Sequence, residues 1–287
     1  ELSWASVPDR PWAGPALWTN RLQDWEVRAE RLRAPVGQPM RTAHILTART
    51  TPARGGLEVV VGLGVEGELA ETAGAGILLG AGGPDLDWRK SALIHHSPGP
   101  GGGLFAGIDG EGRLFVRDFS DRNQLLAQSD GWLAKLDSVE LTVRIVPNAG
   151  GAILELTASP FETGADSVTL ETGPFEDVRL TGGLALVADA ADSATGTIWF
   201  SHLRVSGRGF ENYADRLLGP VLGAQHTLSR EVLTLTAQLF PVAGEIDPAD
   251  PATAGVVQLD VRSESGEWYT LGLSPVVVPG YTASFRV

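Results

Sequence analysis

The chain has 287 residues, 43% hydrophobic and 20% charged, enough for one large β sandwich or two ordinary domains. Its net charge is −13 and lysine occurs only at Lys90 and Lys135, so no basic cluster is present to neutralise phosphates and nucleic acid is a poor partner. Cysteine is absent, which removes disulfides and thiolate chemistry, and no apolar run approaches the ~20 residues of a membrane-spanning helix.

The opening, residues 2–15, is rich in Trp and Pro and reads as an irregular arm. Strand-like runs follow at 25–28, at Leu32 and at 44–47, and the apolar run 57–63 reads as a strand buried on both faces. Residues 76–80 and 91–95 continue the series. Runs 104–108 and 113–117 flank Asp109, Gly110, Glu111 and Gly112, a strong hairpin signal. Beyond Trp132 the alternation is cleaner: 138–145 places Val139, Leu141, Val143 and Ile145 on one face, and 152–158 follows a turn at 148–151. Runs 183–187 and 196–205 complete a two-sheet pattern with turns every 8–12 residues.

Residues 210–222 break that pattern. Tyr213, Leu217 and Leu218 suit one face of a short helix ended by Gly219 and Pro220. Strands are expected again at 231–239, 256–262, 268–273 and 283–287, with a proline-bounded loop at 246–251. The expected organisation is a jelly-roll β sandwich over 1–208, a connector over 209–226 and a small immunoglobulin-like or fibronectin III-like β unit over 227–287. The chain opens at Glu1 without Met and stops in what reads as a strand, so a processed or trimmed chain with a following portion is expected.

Two stretches resemble known families. Trp18-Thr19-Asn20-Arg21-Leu22-Gln23-Asp24-Trp25-Glu26-Val27, followed by Leu32, resembles the first strand of laminin-G-like, concanavalin A-like jelly rolls. Ile198-Trp199-Phe200-Ser201-His202-Leu203 resembles their closing strand, which lies beside the first. Gly219-Pro220-Val221-Leu222-Gly223-Ala224-Gln225-His226-Thr227-Leu228-Ser229-Arg230, with 87–92, resembles the N-terminal region of bacterial PhoD-like alkaline phosphatases. That second resemblance implies a non-catalytic accessory region of an exported enzyme, periplasmic or extracellular, whose partner is a C-terminal metallophosphoesterase domain or chain.

His44, His95, His96, His202 and His226 form no metal-binding spacing, and in a strand His95 and His96 face opposite sides. Calcium is the metal best suited to the loops, through Asp85 and Asp87 or through Asp118, Asp121 and Asn123, although all five read first as turn-forming residues and solvated surface charge. A glycosidase needs two carboxylates aimed at one bond. Residues 244–250 carry acids but are broken by proline, and Glu66, Glu68 and Glu71 read as exposed turn charges. No nucleophile elbow is present, and the glycines at 101–103 lack the features of a phosphate cradle, reading instead as a flexible rim loop. No catalytic set is expected. A carbohydrate-binding, lectin-like role is the alternative to the accessory one, using Trp88 with Asp87, Arg89 and His95 on a loop face. Trp132 is the second aromatic candidate, favoured as a packed residue, and Trp25, Trp199 and Phe200 are expected in the core.

Overall fold

Two eight-stranded antiparallel sheets make the body of the computed structural model, which describes residues 1–34, 40–161, 166–191, 196–240 and 255–287. The first sheet runs Val168–Phe175, Gly151–Pro160, Val139–Asn148, Leu57–Glu66, Thr197–Gly207, Arg31–Ala34 and Glu26–Arg28, with Leu2–Ser3 added on Thr197–Gly207. The second runs Gln124–Trp132, Arg113–Asp118, Leu104–Asp109, Gly74–Ala81, Gly182–Asp189, Arg41–Thr50 and Phe210–Asn212, with Leu17–Thr19 added on Arg41–Thr50. Hairpins join local neighbours, and long crossovers bring Thr197–Gly207 beside Leu57–Glu66 and Gly182–Asp189 between Gly74–Ala81 and Arg41–Thr50. The fold is all-β: a large two-sheet jelly-roll sandwich followed by a small unit of two further sheets.

Alternation explains the first sheet. Val139, Leu141, Val143 and Ile145 point into the core from one strand, and Ala152, Leu154, Leu156 and Ala158 from its hairpin partner. Their outward neighbours are mostly polar, though Ile153 is not, and Arg144 meets Glu58 across the strands at 2.8 Å. Each inward Val, Leu or Ile contributes about 1.5–3 kcal/mol by leaving water. Trp199 points outward but is only 2% exposed, because its ring lies over Gly64 and under the Arg31 guanidinium, 3.8 Å away. A side chain at Gly64 would collide with that indole.

The second sheet is apolar on both faces. Leu104, Ala106 and Ile108 face the core, while Phe105, Phe115, Leu78, Ala185 and Val187 form a second buried cluster on the other side with Phe119. On that face the helix Trp88–Ile94 of segment 82–103 packs over Arg41–Thr50 and Gly182–Asp189, and the Arg117 guanidinium lies 4.0 Å over the Phe115 ring.

Several expectations are corrected. Residues 18–27 do not form one strand: the chain leaves the second sheet after Leu17–Thr19, turns through the 3-10 helix Leu22–Asp24, and enters the first sheet at Glu26–Arg28. The closing strand therefore lies beside Arg31–Ala34, Leu57–Glu66 and Leu2–Ser3. Residues 91–95 are helical up to Ile94, because Asp87 caps the turn by accepting the Arg89 amide. The helix expected around 213–218 is absent; a single turn forms, Arg216 N–H donating to Tyr213 O, and the stretch is tied to the sandwich by Tyr213 N–H donating to Thr47 O and Leu218 N–H to Pro15 O. Residues 221–226, expected in the connector, belong to the strand Val221–Ser229, which pairs with Val232–Leu239. Gln124–Trp132 and Val168–Phe175 are additional strands with mixed polar sequences and register shifts, features that hide a two-residue period. Glu66 is the end of a strand, paired with Arg31 and Arg33, rather than a turn charge.

In the C-terminal unit, Val221–Ser229, Val232–Leu239 and Thr282–Arg286 form one sheet and Val256–Arg262 with Trp268–Pro275 another. Ala237, Leu239, Val276, Ala283 and Phe285 fill the small space between them. Phe240 stacks on Trp12 of the sandwich with ring centroids 4.8 Å apart. The loop expected at 246–251, and with it the whole acidic stretch 244–250, lies outside the described residues.

The Leu22–Asp24 turn, where the chain changes sheets, is fixed by a buried ion pair, Arg41 to Asp24 at 2.5 Å. Asp24→Ala deprives a buried guanidinium of this carboxylate and is expected to lower stability by about 3–5 kcal/mol. Glu58→Ala, opposite Arg144 on the wet face, should change it by less than ~1 kcal/mol. Urea unfolding of both variants reads the difference, and equal losses would contradict the assignment.

Candidate functional site

The segment 82–103 that covers the second sheet also shapes its surface. Gly82 and Gly103 take positive φ (83° and 85°), and a Cβ at Gly103 would sit 2.0 Å from Leu79 O. The loop expected to be flexible around 101–103 is instead tied down: Gly82 N–H donates to Gly101 O, Gly102 N–H to Gly99 O, and Phe119 N–H to Gly103 O. Between these ties the helix Trp88–Ile94 presents Trp88, Arg89 and Leu93 outward beside Trp18.

Two adjoining clefts result. The larger, about 630 Å³, is lined by Trp18, Asn20, Gln23, Leu93, His96 and Ser97, with Arg21 and Met40 at its margin. The smaller, about 190 Å³, shares Trp18 and Leu93 and continues past Trp88, Arg89, Leu46 and Leu218. Leu93 is 55% exposed between them. Trp18 reaches the surface because it sits on a two-residue period between Leu17 and Thr19, both buried. Beyond Trp88 the Arg216 guanidinium stacks 3.4 Å from the Tyr213 ring and 5.6 Å from that of Trp88. Arg49 donates to the carbonyls of Gly83 and Pro84, which fixes the turn preceding the helix.

The residues expected to form the site separate into three roles. Trp88 and Arg89 line the smaller cleft. Asp87 caps the helix and also receives both Arg89 Nε and Nη2 at 3.1 Å, and these hydrogen bonds hold its carboxyl down at about 2. His95 is 2% exposed and lines neither cleft; the histidine at the cleft wall is His96. The strand alternation expected for this pair fails because both follow a helix rather than lie in a strand.

Calcium finds little to hold it. The Asp87 oxygens are already engaged, and among the described residues no third His, Asp or Glu joins Asp85 and Asp87 in a metal-binding group. Asp118 is likewise committed, pairing with Arg179 at 2.6 Å and capping Ser120 N–H. Trp18, Asn20, Gln23 and His96 are the lining residues that a search for motifs passes over. Only the outward place of Trp18 was signalled, by the alternation at 17–19.

Beneath the helix, His44 projects from Arg41–Thr50 and its Nε2 lies 3.0 Å from His95 O, joining strand to covering segment. Burial pushes His44 down to about 4, outweighing the His95 carbonyl hydrogen bond, which acts upward. His95 is also lowered, first by burial and then by the neighbouring His96.

No family model matches the sequence, and no curated protein matches it. Among solved structures, the chain is similar to a PL-14 alginate lyase from Aplysia kurodai at 8% identity, covering 67% of this chain and 87% of that one with a TM-score of 0.46. It is similar to lectin I-B4 from Griffonia simplicifolia at 12% identity, 67% and 92% coverage and a TM-score of 0.47. It is similar to lectin II from Ulex europaeus at 9% identity, 69% and 96% coverage and a TM-score of 0.47. The resemblance of 219–230 to phosphatase N-terminal regions gains no support from these comparisons.

The His44 value fixes a pH dependence. A buried neutral histidine with a folded pKa near 4 leaves the unfolded chain binding more protons between about pH 6.5 and 4. Stability is therefore flat above about pH 7 and falls through that window by about 3 kcal/mol from this group alone. His44→Gln, whose amide can still donate to the His95 carbonyl, should flatten the fall in urea midpoint between pH 7.5 and 4.5. A slope equal to that of the parent protein would contradict the assignment.

Proposed function

We propose that this chain is a lectin-like carbohydrate-binding module whose ligand lies in the joined clefts over the outer face of the second sheet. One observation carries the reading: the clefts set the indoles of Trp18 and Trp88 beside the polar side chains of Asn20, Gln23, His96 and Ser97. A sugar ring offers an apolar C–H face and a rim of hydroxyls. Indoles take the first, and amides, imidazole and hydroxyl exchange hydrogen bonds with the second.

Charge narrows the ligand class. In a chain of net charge −13, the clefts and their continuation carry Arg21, Arg89, Arg49 and Arg216, with Asp87 already paired to Arg89. Guanidinium groups recognise carboxylates with two parallel hydrogen bonds, so a uronate-bearing glycan fits this face better than an amino-sugar chain.

A second reading has one observation in its favour. Val221–Ser229 is a sheet-edge strand exposed in all nine residues, an edge on which a further domain could dock, as the accessory role expected from residues 219–230 requires.

Titration calorimetry of the full chain with neutral and uronate hexasaccharides tests the first reading. Trp18→Ala and Trp88→Ala should each weaken uronate binding at least ten-fold, while the exposed Leu228→Ala leaves it unchanged. Uronate affinity unaffected by both tryptophan variants would overturn the proposed site.

A further inference from the structure

A third tryptophan is held in water at the far edge of the same sheet. Trp132 closes the edge strand Gln124–Trp132 and is 62% exposed, contrary to the expectation that it packs. Its exposure is not looseness. The strand breaks register between Gln128 and Trp132, and the bulge is pinned on both sides. Ser129 Oγ accepts from Leu114 N–H at 3.0 Å and donates to Gly131 O at 2.7 Å. Immediately after Trp132, Leu133 is buried and its N–H donates to Gly112 O at 2.8 Å. A large apolar ring is thus fixed outward between two anchored residues, so little ordering is left to oppose binding.

The indole forms one wall of a cleft of about 390 Å³ whose other polar residues are Lys135, Asp137, Ser138 and Asp166. That volume lies toward the small-ligand end of the usual range for ligand pockets, about 300–1,000 Å³. Two carboxylates against one ammonium disfavour a polyanionic ligand, and the flat ring disfavours a small inorganic ion.

We infer that the Trp132 cleft is a second glycan site, independent of the Trp18–Trp88 face, that stacks one ring of a neutral or amino-sugar chain on the indole. Asp137 and Asp166 accept hydrogen bonds from its hydroxyl or ammonium groups, and Lys135 donates to its oxygens. The two sites would differ in charge preference, arginine-lined on one side of the molecule and carboxylate-lined on the other. A chain carrying both could bridge two polysaccharides of different charge.

The test uses the full chain and its Trp18→Ala/Trp88→Ala double variant, titrated by calorimetry with a glucosamine hexamer, an N-acetylglucosamine hexamer and a uronate hexamer. The expected result is that glucosamine or N-acetylglucosamine hexamer binds both proteins alike, and that Trp132→Ala weakens this binding at least ten-fold. The thermal midpoint of Trp132→Ala should stay near that of the parent, since the ring is mostly in water. The double variant keeps the outcome separate from that at the first site: its binding persists even if the first site binds nothing. Equal affinity of Trp132→Ala and parent for both amino-sugar hexamers, no binding of either hexamer, or loss of uronate binding alone would each overturn the inference.

Discussion

The second sheet has no face that can be left in water. One side presents Leu104, Ala106 and Ile108 to the core, and the other presents Leu78, Phe105, Phe115 and Val187 away from it. Apolar area of that size on a sandwich surface demands a cover. Arg117 lies over the Phe115 ring, and segment 82–103 supplies part of the cover, over Arg41–Thr50 and Gly182–Asp189, tied at its two ends by Gly82 to Gly101 and by Gly103 to Phe119. Its short helix then stands beside Trp18, and the clefts between them are the product of that covering rather than of the sandwich itself. His44 and the buried His95 backbone join the cover to the strand beneath.

Surface chemistry follows from where the sheets end. Near the helix, arginines from three separate stretches converge: Arg49 from a strand, Arg89 from the cover and Arg216 from the connector. At the opposite edge, the bulge before Trp132 turns the chain outward and brings Asp137 and Asp166 to the same cleft. The arginines are far apart in sequence, and at the Trp132 cleft Asp166 joins residues clustered over 132–138, so both groupings depend on the fold. The C-terminal unit adds a small core and the Trp12–Phe240 stack, leaving the strand Val221–Ser229 open along its length.

The fold was legible where a strand has one wet face. Val139, Leu141, Val143 and Ile145 alternate with polar residues, and both the strand and its hairpin partner could be read directly. Residues 91–95 were not, since the three apolar residues Ala92, Leu93 and Ile94 serve a helix or a strand equally; the discriminating signal was Asp87, a good N-cap four residues before Ser91. Residues 213–218 carry a helical spacing that loses to backbone hydrogen bonds with Thr47 and Pro15. Trp88 and Arg89 were identifiable as surface candidates because glycines and a proline precede them. His95 was not separable from His96 without knowing that a helix ends just before them. Trp132 was misjudged as packed because a bulge, which depends on the neighbouring strand, decides its direction.

Amide hydrogen exchange of the full chain, with and without a saturating uronate hexasaccharide, tests most directly whether the covered face is where this protein meets its ligand. The account predicts slower exchange at residues 18–23 and 93–97 and no change along 221–229. Unchanged exchange at 18–23 and 93–97, with protection instead confined to 221–229, would contradict it and move the function to the C-terminal unit.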